Sequence, residues 1–226
     1  MTPAYADGEF IISSSSRFKN YIMSYSLNGK VLSQNWNYSL TSSPTTSPFI
    51  YNNTIYVGSG DNLYAFTLGG NLIFNVLLGS QIKGISISNN EIFVQCQNSI
   101  YGLNAKTGII LFSYSTKPSY STAISAIVPS STPNILYSIV NNTEFQAYNL
   151  QTNSMIWNIT LPTSSYKNFS NIALAYGSAY ITDGNANRSI SNRCSIICWQ
   201  LNNWTSCLCW HYARGRIIAY NYAIPI

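Results

Sequence analysis

The sequence is short of charge, and of acidic residues most of all. Charged side chains make up 8% of its 226 residues, with six acids against eleven Lys and Arg and a net charge of +5. The basic residues are spread from Arg17 to Arg216 without a dense run, whereas nucleic-acid-binding proteins concentrate them on one face or segment. The surface must therefore be hydrated by hydroxyl and amide groups, and the pattern argues against a nucleic-acid partner.

Long apolar runs are also missing. No segment reaches the roughly 18 consecutive apolar residues of a membrane-spanning helix, so the sequence predicts no membrane span. The first residues, from Met1 to Asp7, lack the basic start and apolar stretch of a secretory signal. The Asn-x-Ser/Thr sequons permit an extracellular location, but so many Asn, Ser and Thr residues produce them by chance, and a cytoplasmic location stays open.

Groups suited to catalysis or metal binding are scarce. His211 is the single histidine, and Asp61 and Glu144 occupy equivalent tight turns, where turn chemistry explains them. A hard-cation site needs several converging oxygen ligands, and hydrolytic triads need a positioned histidine. The sequence therefore predicts a protein that is not an enzyme, with no catalytic, cofactor-binding or metal-binding residues and no cofactor.

Four of the five cysteines cluster near the C-terminus, on the two strands of one predicted hairpin. A disulfide joining Cys198 to Cys207 or Cys209 is predicted for an oxidising compartment, and buried free thiols are the alternative. The spacing from Cys194 to Cys209 matches no familiar zinc module, even when His211 is added.

What the sequence has in abundance is aromatic residues placed in a repeat. Four segments each contain an aromatic residue, a short apolar run, a polar turn, a second apolar run and another aromatic residue. The first aromatic residues are Tyr64, Tyr101, Phe145 and Trp199, and the second are Phe74, Phe112, Trp157 and Trp210. A fainter copy runs from Tyr21 to Leu32. Successive copies lie about 40 residues apart, which is the blade period of β-propellers.

Each copy predicts a β-hairpin, with polar turns at residues 68–71 and 105–108 in the two clearest copies. Two further strands precede each hairpin, and four antiparallel strands form a propeller blade. Blades stack side by side because one sheet cannot hide both of its faces from water. The second aromatic residues are therefore predicted to fill the gaps between blades: Phe74, Phe112, Trp157 and Trp210.

The segment from Ile100 to Phe112, IYGLNAKTGIILF, resembles the pyrroloquinoline-quinone (PQQ) type of repeat, and the resemblance extends over nearly the whole chain. It implies an all-β fold, a β-propeller of about five four-stranded blades, in a single domain over residues 1–226. Quinone-binding members carry a vicinal Cys-Cys pair, which this sequence lacks. The resemblance is therefore to the non-catalytic scaffold branch, and a PQQ- or metal-binding enzyme that uses the central channel is the alternative.

The two ends of the chain suggest how such a ring would close. The first copy is interpreted as beginning at its second strand, from Glu9 to Ser13, and the segment from Arg216 to Asn221 reads like the first strand of a blade. The C-terminal strand is therefore predicted to pair with the N-terminal blade, which would cover two free sheet edges. A fragment of a larger ring is the alternative.

The resemblance implies a binding or scaffold module, because several PQQ-type repeat proteins lack the quinone and act in assembly. The composition, rich in Tyr, Asn, Ser and Thr, resembles exported proteins of acidophilic archaea and structural proteins of their viruses. We therefore predict a protein partner and an extracellular, cell-surface or virion setting. Self-association, as a structural subunit of a virion or filament, is a further alternative.

Overall fold

The computed structural model describes residues 1–17, 19–115, 135–140, 144–152, 154–160, 168–169, 172–175, 178–184, 194–200, 207–213 and 216–222. The chain divides into two compact units, Met1–Pro118 and Ser119–Ile226. All regular structure in these described ranges is β-strand. None of them contains a helix long and apolar enough to cross a membrane. The prediction of a single domain over residues 1–226 stays a prediction.

The first unit consists of three antiparallel sheets, each with four strands that follow one another in sequence order. The first sheet contains β1 Ala4–Ala6, β2 Glu9–Ser15, β3 Asn20–Asn28 and β4 Val31–Ser39. The second contains β5 Phe49–Tyr51, β6 Thr54–Ser59, β7 Asn62–Thr67 and β8 Leu72–Leu77. The third contains β9 Ile82–Ser88, β10 Glu91–Cys96, β11 Ser99–Asn104 and β12 Ile110–Ser115.

A two-residue turn joins the first and second strands of each of these sheets. Both residues of each turn have a positive φ, at Asp7 and Gly8, Asn52 and Asn53, and Asn89 and Asn90. A tight hairpin turn with two positive φ angles matches the right-handed twist of its strands, and Asn, Asp and Gly adopt it most readily. Four of the many asparagine residues therefore form the tight turns between the first and second strands of the second and third sheets.

Burial within a sheet depends on strand position. The second and third strands of the second sheet, β6 and β7, are buried along almost their whole length. The fourth strands, β4, β8 and β12, are mostly exposed, with half-buried positions two residues apart. Neighbouring sheets therefore pack mainly through their buried inner strands, while each fourth strand lies at the periphery and contributes only its half-buried side chains.

The second unit contains two sheets in its described residues. One has three strands, β13 Ile135–Val140, β14 Glu144–Asn149 and β15 Ser154–Thr160. The other has six, β16 Asn168–Phe169, β17 Ala173–Ala175, β18 Ser178–Gly184, β19 Cys194–Gln200, β20 Cys207–Ala213 and β21 Arg216–Tyr222. Residues 185–193, between β18 and β19, lie outside the described residues.

The C-terminal strand is not found at the edge of β2 where it was predicted to pair, and closure of the ring stays a prediction. The edge of β2 that was assigned to the C-terminal strand is occupied by β1, with Ala4 opposite Ile11 and Ala6 opposite Glu9. The C-terminal strand β21 pairs with β20, and Cys207 stands opposite Tyr222. Both pairings are local hairpins, which need shorter loops to close than a contact between the two ends of the chain.

Candidate functional site

The aromatic residues predicted to lie between blades occupy several kinds of position. Phe74 on β8 lies against Gly108 of the next sheet, where an added Cβ would stand 2.7 Å from its ring. Phe112 lies over Gly102 of its own sheet, 6.1 Å from the Phe93 ring centre. Of these predicted residues, Phe74 is therefore one that bridges two sheets of the first unit.

The two predicted aromatic residues of the second unit lie on β15 and β20. Trp157 packs within its own sheet, with ring centres 5.2 Å from Phe145 and 5.9 Å from Tyr137. Trp210 stands opposite Ile196 on one side and Ala219 on the other. The side chain of Trp210 lies outside the described residues, so its role between blades stays a prediction.

Trp36 on β4 bridges two sheets and was missed by the sequence prediction. An added Cβ on Gly70, in the second sheet, would stand 2.5 Å from the indole ring, and Trp36 Nε1 donates a hydrogen bond to the Leu68 carbonyl oxygen at 2.7 Å. Trp36, Phe74 and Phe112 are spaced by 38 residues. That spacing is the signal that could have identified Trp36.

In the second and third sheets, the carbonyl group at the start of the turn before the fourth strand receives a hydrogen bond from the preceding sheet. Trp36 serves the Leu68 carbonyl, and the Tyr56 hydroxyl donates to the equivalent carbonyl of Ala105 at 2.9 Å. Phe74, which corresponds to Trp36, has no donor group. A buried carbonyl group without a hydrogen-bond partner is costly. Between the second and third sheets, Tyr56 on the second strand β6 supplies this hydrogen bond instead.

The three cysteines of the predicted disulfide lie on paired strands. Cys198 is on β19, and Cys207 and Cys209 are on β20. The register places Ile197 opposite Cys209, so Cys198 does not stand directly opposite it. The side chains of these cysteines lie outside the described residues, and the disulfide stays a prediction.

Cys96, by contrast, is a free thiol buried between the second and third sheets. Burial raises the pKa of the Cys96 thiol to about 12, an effect that the neighbouring Ser80 and Ser99 side chains partly offset and the charge of Asp61 reinforces. The thiolate is the reactive form of cysteine. Cys96 is therefore placed for packing and has little reactivity.

We expect native Cys96 to resist iodoacetamide at pH 8 and to react fully once the chain is unfolded in urea, with peptide mass spectrometry as the measurement. Because the folded thiol holds its proton to a higher pH than the unfolded one, this group also lowers stability as pH rises from about 9 towards 12. Rapid native labelling of Cys96 would contradict the burial that the structure shows.

Exposed apolar pairs recur at one position of the fold, the beginning of each fourth strand. We call the set in the first unit the apolar rim, and each of its members exposes between 42% and 64% of its surface. The apolar rim consists of Val31, Leu32, Leu72, Ile73, Ile110 and Leu111. In the second unit, β15 has the same feature at Met155 and Ile156.

Two of these pairs lie close in sequence to contacts between sheets of the first unit. Leu72 follows closely on Gly70, which contacts Trp36 of the first sheet, and Ile109 follows directly on Gly108, which contacts Phe74 of the second. The pairs of β8 and β12 therefore start next to an intersheet aromatic contact. Large exposed apolar patches on soluble proteins mark sites of interaction.

The apolar rim is chemically suited to binding a partner through apolar contacts, and it carries no reactive group. Within the described residues, no three His, Cys, Asp or Glu side chains come together. The fourth strands β4, β8 and β12, and β15 of the second unit, contain no charged residue and no proline. A partner could cover them without stripping water from a charge, which is the costliest step in burial.

Comparison with known proteins gives a family match over most of the chain. Residues 19–207 match a family model of PQQ repeats described as outer membrane protein assembly factor BamB. No curated protein matches the sequence. BamB from Moraxella catarrhalis has a similar structure, with a TM-score of 0.60 and 12% identity over 99% of this chain and 85% of that one.

Two other solved structures are similar at comparable identity. Sqt1 from Saccharomyces cerevisiae has a TM-score of 0.63 and 12% identity over 85% of this chain and 66% of that one. The CNH domain of AfRom2 has a TM-score of 0.56 and 11% identity, over 84% and 64% respectively. At these identities the likeness concerns the fold. With BamB and the four-stranded sheets, it confirms the predicted β-propeller class.

Proposed function

This chain belongs to the family of PQQ-repeat β-propellers described as outer membrane protein assembly factor BamB, and from that membership we propose that it is a non-catalytic scaffold that binds a protein partner. The observation that carries this proposal is the apolar rim. It offers large aliphatic side chains at a repeated place, on strands that contain no charged residue.

The form of the rim favours a macromolecular partner over a small ligand. Small-molecule sites are concave and bury most of the ligand, whereas the rim lies on exposed, peripheral strands. Protein interfaces have an apolar centre with few charges and a polar border. Exposed serine and asparagine residues follow the apolar pairs along the fourth strands, for example Ser33, Asn75 and Ser113, and would form such a border.

The function is tested by capturing partners with the tagged full-length chain in cells of its source. We expect one stoichiometric partner to be retained by the wild type and lost from a Leu32→Gln, Leu111→Gln variant. The matched control carries Ser33→Gln and Ser113→Gln, which lie on the same strands at exposed polar positions. A partner held equally by both variants would exclude the rim as its binding site, and capture of none would overturn the proposal.

We further propose an extracellular, cell-surface or virion setting, supported by the scarcity of charge and the abundance of Tyr, Asn, Ser and Thr. Mass spectrometry of the protein isolated from its source, alkylated before reduction, tests this. A disulfide that joins Cys198 to Cys207 or Cys209 is expected in an oxidising compartment. If all three thiols are free, the setting is a reducing one and the proposal fails.

A further inference from the structure

The tryptophan residues of β4 and β15 are each followed by an asparagine that begins an Asn-x-Ser/Thr sequon, the motif that accepts N-linked glycans. On β4 the sequon runs from Asn37 to Ser39, and on β15 it runs from Asn158 to Thr160. In both strands the asparagine directly follows the large aromatic residue of the repeat. Recurrence at one place in the repeat separates this pair from sequons that the composition scatters along the chain.

Both sequons lie in a regular part of their strand. The register of β4 shifts before Trp36, and its pairing with β3 is regular from Trp36 to Ser39. The register of β15 shifts before Trp157, and its pairing with β14 is regular from Trp157 to Thr160. Successive residues of a regular strand point to opposite faces. The asparagine and the hydroxyl residue of each sequon therefore share one face, and all four side chains are exposed.

The residues that alternate with the β4 sequon pack on the core. Trp36 and Tyr38 are half-buried, and the Tyr38 ring centre lies 4.8 Å from that of Phe66 and 6.2 Å from that of Tyr64. These contacts hold the strand with Asn37 directed away from the core between the first two sheets. A sugar on Asn37 would therefore extend into solvent without disturbing this packing.

The amide of the second sequon has a partner that a sugar need not displace. Asn158 Nδ2 donates a hydrogen bond to Glu144 Oε2 at 3.2 Å, on the neighbouring strand β14. An asparagine amide has two hydrogens. One hydrogen can be replaced by a sugar while the other keeps the bond to Glu144.

Asn52 also begins a sequon, but its surroundings differ. It lies in a tight turn with a φ of 46°, and its Nδ2 donates to Asn90 Oδ1 at 3.3 Å. Thr54, which completes that motif, is half-buried at the start of β6. The shared exposed face of a regular strand distinguishes the sequons at Asn37 and Asn158.

We propose that Asn37 and Asn158 are sites of N-linked glycosylation, an inference that rests on the extracellular, cell-surface or virion setting proposed above. The sugar donor is a lipid-phosphate-linked oligosaccharide of the source cell. Nδ2 of the asparagine forms a bond to C1 of the first sugar, and the C1–O bond to the phosphate breaks. The lipid phosphate leaves with that electron pair, and the amide releases one proton.

A glycan suits these two strands because they have little other protection. Each pairs with one neighbour, β4 with β3 and β15 with β14, and no further strand of the described residues pairs with its other side. Natural proteins protect such an edge with charge, proline or a bulge. Neither strand contains charge or proline, and the register shifts precede the sequons. A bulky, hydrated glycan would keep another strand from this regular segment.

Strand β8 provides a matched position without a sequon. Asn75 follows Phe74 as Asn37 follows Trp36, and Asn75 is exposed, but Leu77 stands where the motif needs Ser or Thr. Pairing of β8 with β7 is regular from Phe74 to Leu77. Leu77 is 65% exposed, so Leu77→Thr creates a new sequon on an exposed face with little effect on packing.

Tandem mass spectrometry of peptides from the full-length chain, produced in its source, tests the proposal. We expect sugar residues on Asn37 and Asn158 of the wild type and none on Asn75. Ser39→Ala should remove the sugar from Asn37 alone, and Leu77→Thr should add one to Asn75. Ser33→Ala, which changes an exposed serine of β4 outside any sequon, should leave all occupied sites as they are.

The state of Cys198 in the same sample separates this proposal from the setting on which it rests. An unmodified amide at either Asn37 or Asn158, beside a Cys198 disulfide, would overturn the glycosylation and leave the setting standing. Unmodified amides together with free thiols would overturn both. A sugar on Asn37 that survives Ser39→Ala, or that is lost equally from Ser33→Ala, would also overturn the proposal.

Discussion

Replacement of Phe66 by alanine is expected to lower the free energy of unfolding by about 3–5 kcal/mol, the range for truncating a buried phenylalanine. Phe66 is fully buried on β7. Its ring stacks on Tyr64 at 6.0 Å and meets the edge of Tyr38 at 4.8 Å between ring centres. The variant would leave a cavity between the first two sheets, which rigid neighbouring rings fill poorly.

Urea unfolding followed by tryptophan fluorescence measures this loss, as a lower midpoint at an unchanged slope. Phe49→Ala is the matched control, because Phe49 lies on β5 of the same sheet and is 40% exposed. We expect the control to lose less than about 1 kcal/mol. Equal losses from both variants would show that Phe66 is not at the centre of the packing between these sheets.

The second large effect is expected at Gly70, where Gly70→Ala should cost about 2–4 kcal/mol, from a left-handed conformation and an overlap together. Gly70 has a φ of 84°, and an added Cβ would stand 2.5 Å from the Trp36 ring. The methyl group would therefore push the indole away from the turn and stretch the hydrogen bond to Leu68.

Gly29→Ala separates the two causes. Gly29 occupies the corresponding turn of the first sheet with a φ of 63°, and an added Cβ there meets no atom within 4 Å. It should lose about 1–2 kcal/mol from conformation alone. A double-mutant cycle with Trp36→Ala should show a coupling of about 1–3 kcal/mol to Gly70→Ala. Additive losses would mean that the ring and the turn are not in contact.

The repeat predicted the hairpins of the first unit well, because local chemistry decides them. The turns at residues 68–71 and 105–108 lie where Gly, Asn and Thr interrupt two apolar runs, and β7, β8, β11 and β12 begin and end around them. The three-residue strand β1 was missed, since Ala-Tyr-Ala shows no apolar alternation. Its pairing depends on the turn at Asp7 and Gly8.

Exposure was harder to predict than strand position. A run such as Leu72-Ile73-Phe74 predicts a strand buried on both faces, yet Leu72 and Ile73 face solvent because β8 is the outer strand of its sheet. Sequence gives the run and not its place in the sheet order. The apolar rim, on which the proposed function depends, therefore emerged only from the structure.

The two hydrogen bonds to the turn carbonyls have a consequence for how these repeats change over time. Between the first and second sheets, the hydrogen-bond donor is Trp36 on the fourth strand β4. The second-strand residue that corresponds to Tyr56 is there Ile11, whose side chain has no donor group. Between the second and third sheets, the donor is Tyr56 on the second strand β6, and the fourth-strand residue that corresponds to Trp36 is Phe74. A repeat can lose its donor at one strand when the other supplies it. We therefore expect the second-strand and fourth-strand positions to covary among related sequences. Where one position lacks a tyrosine or tryptophan, the other should have one.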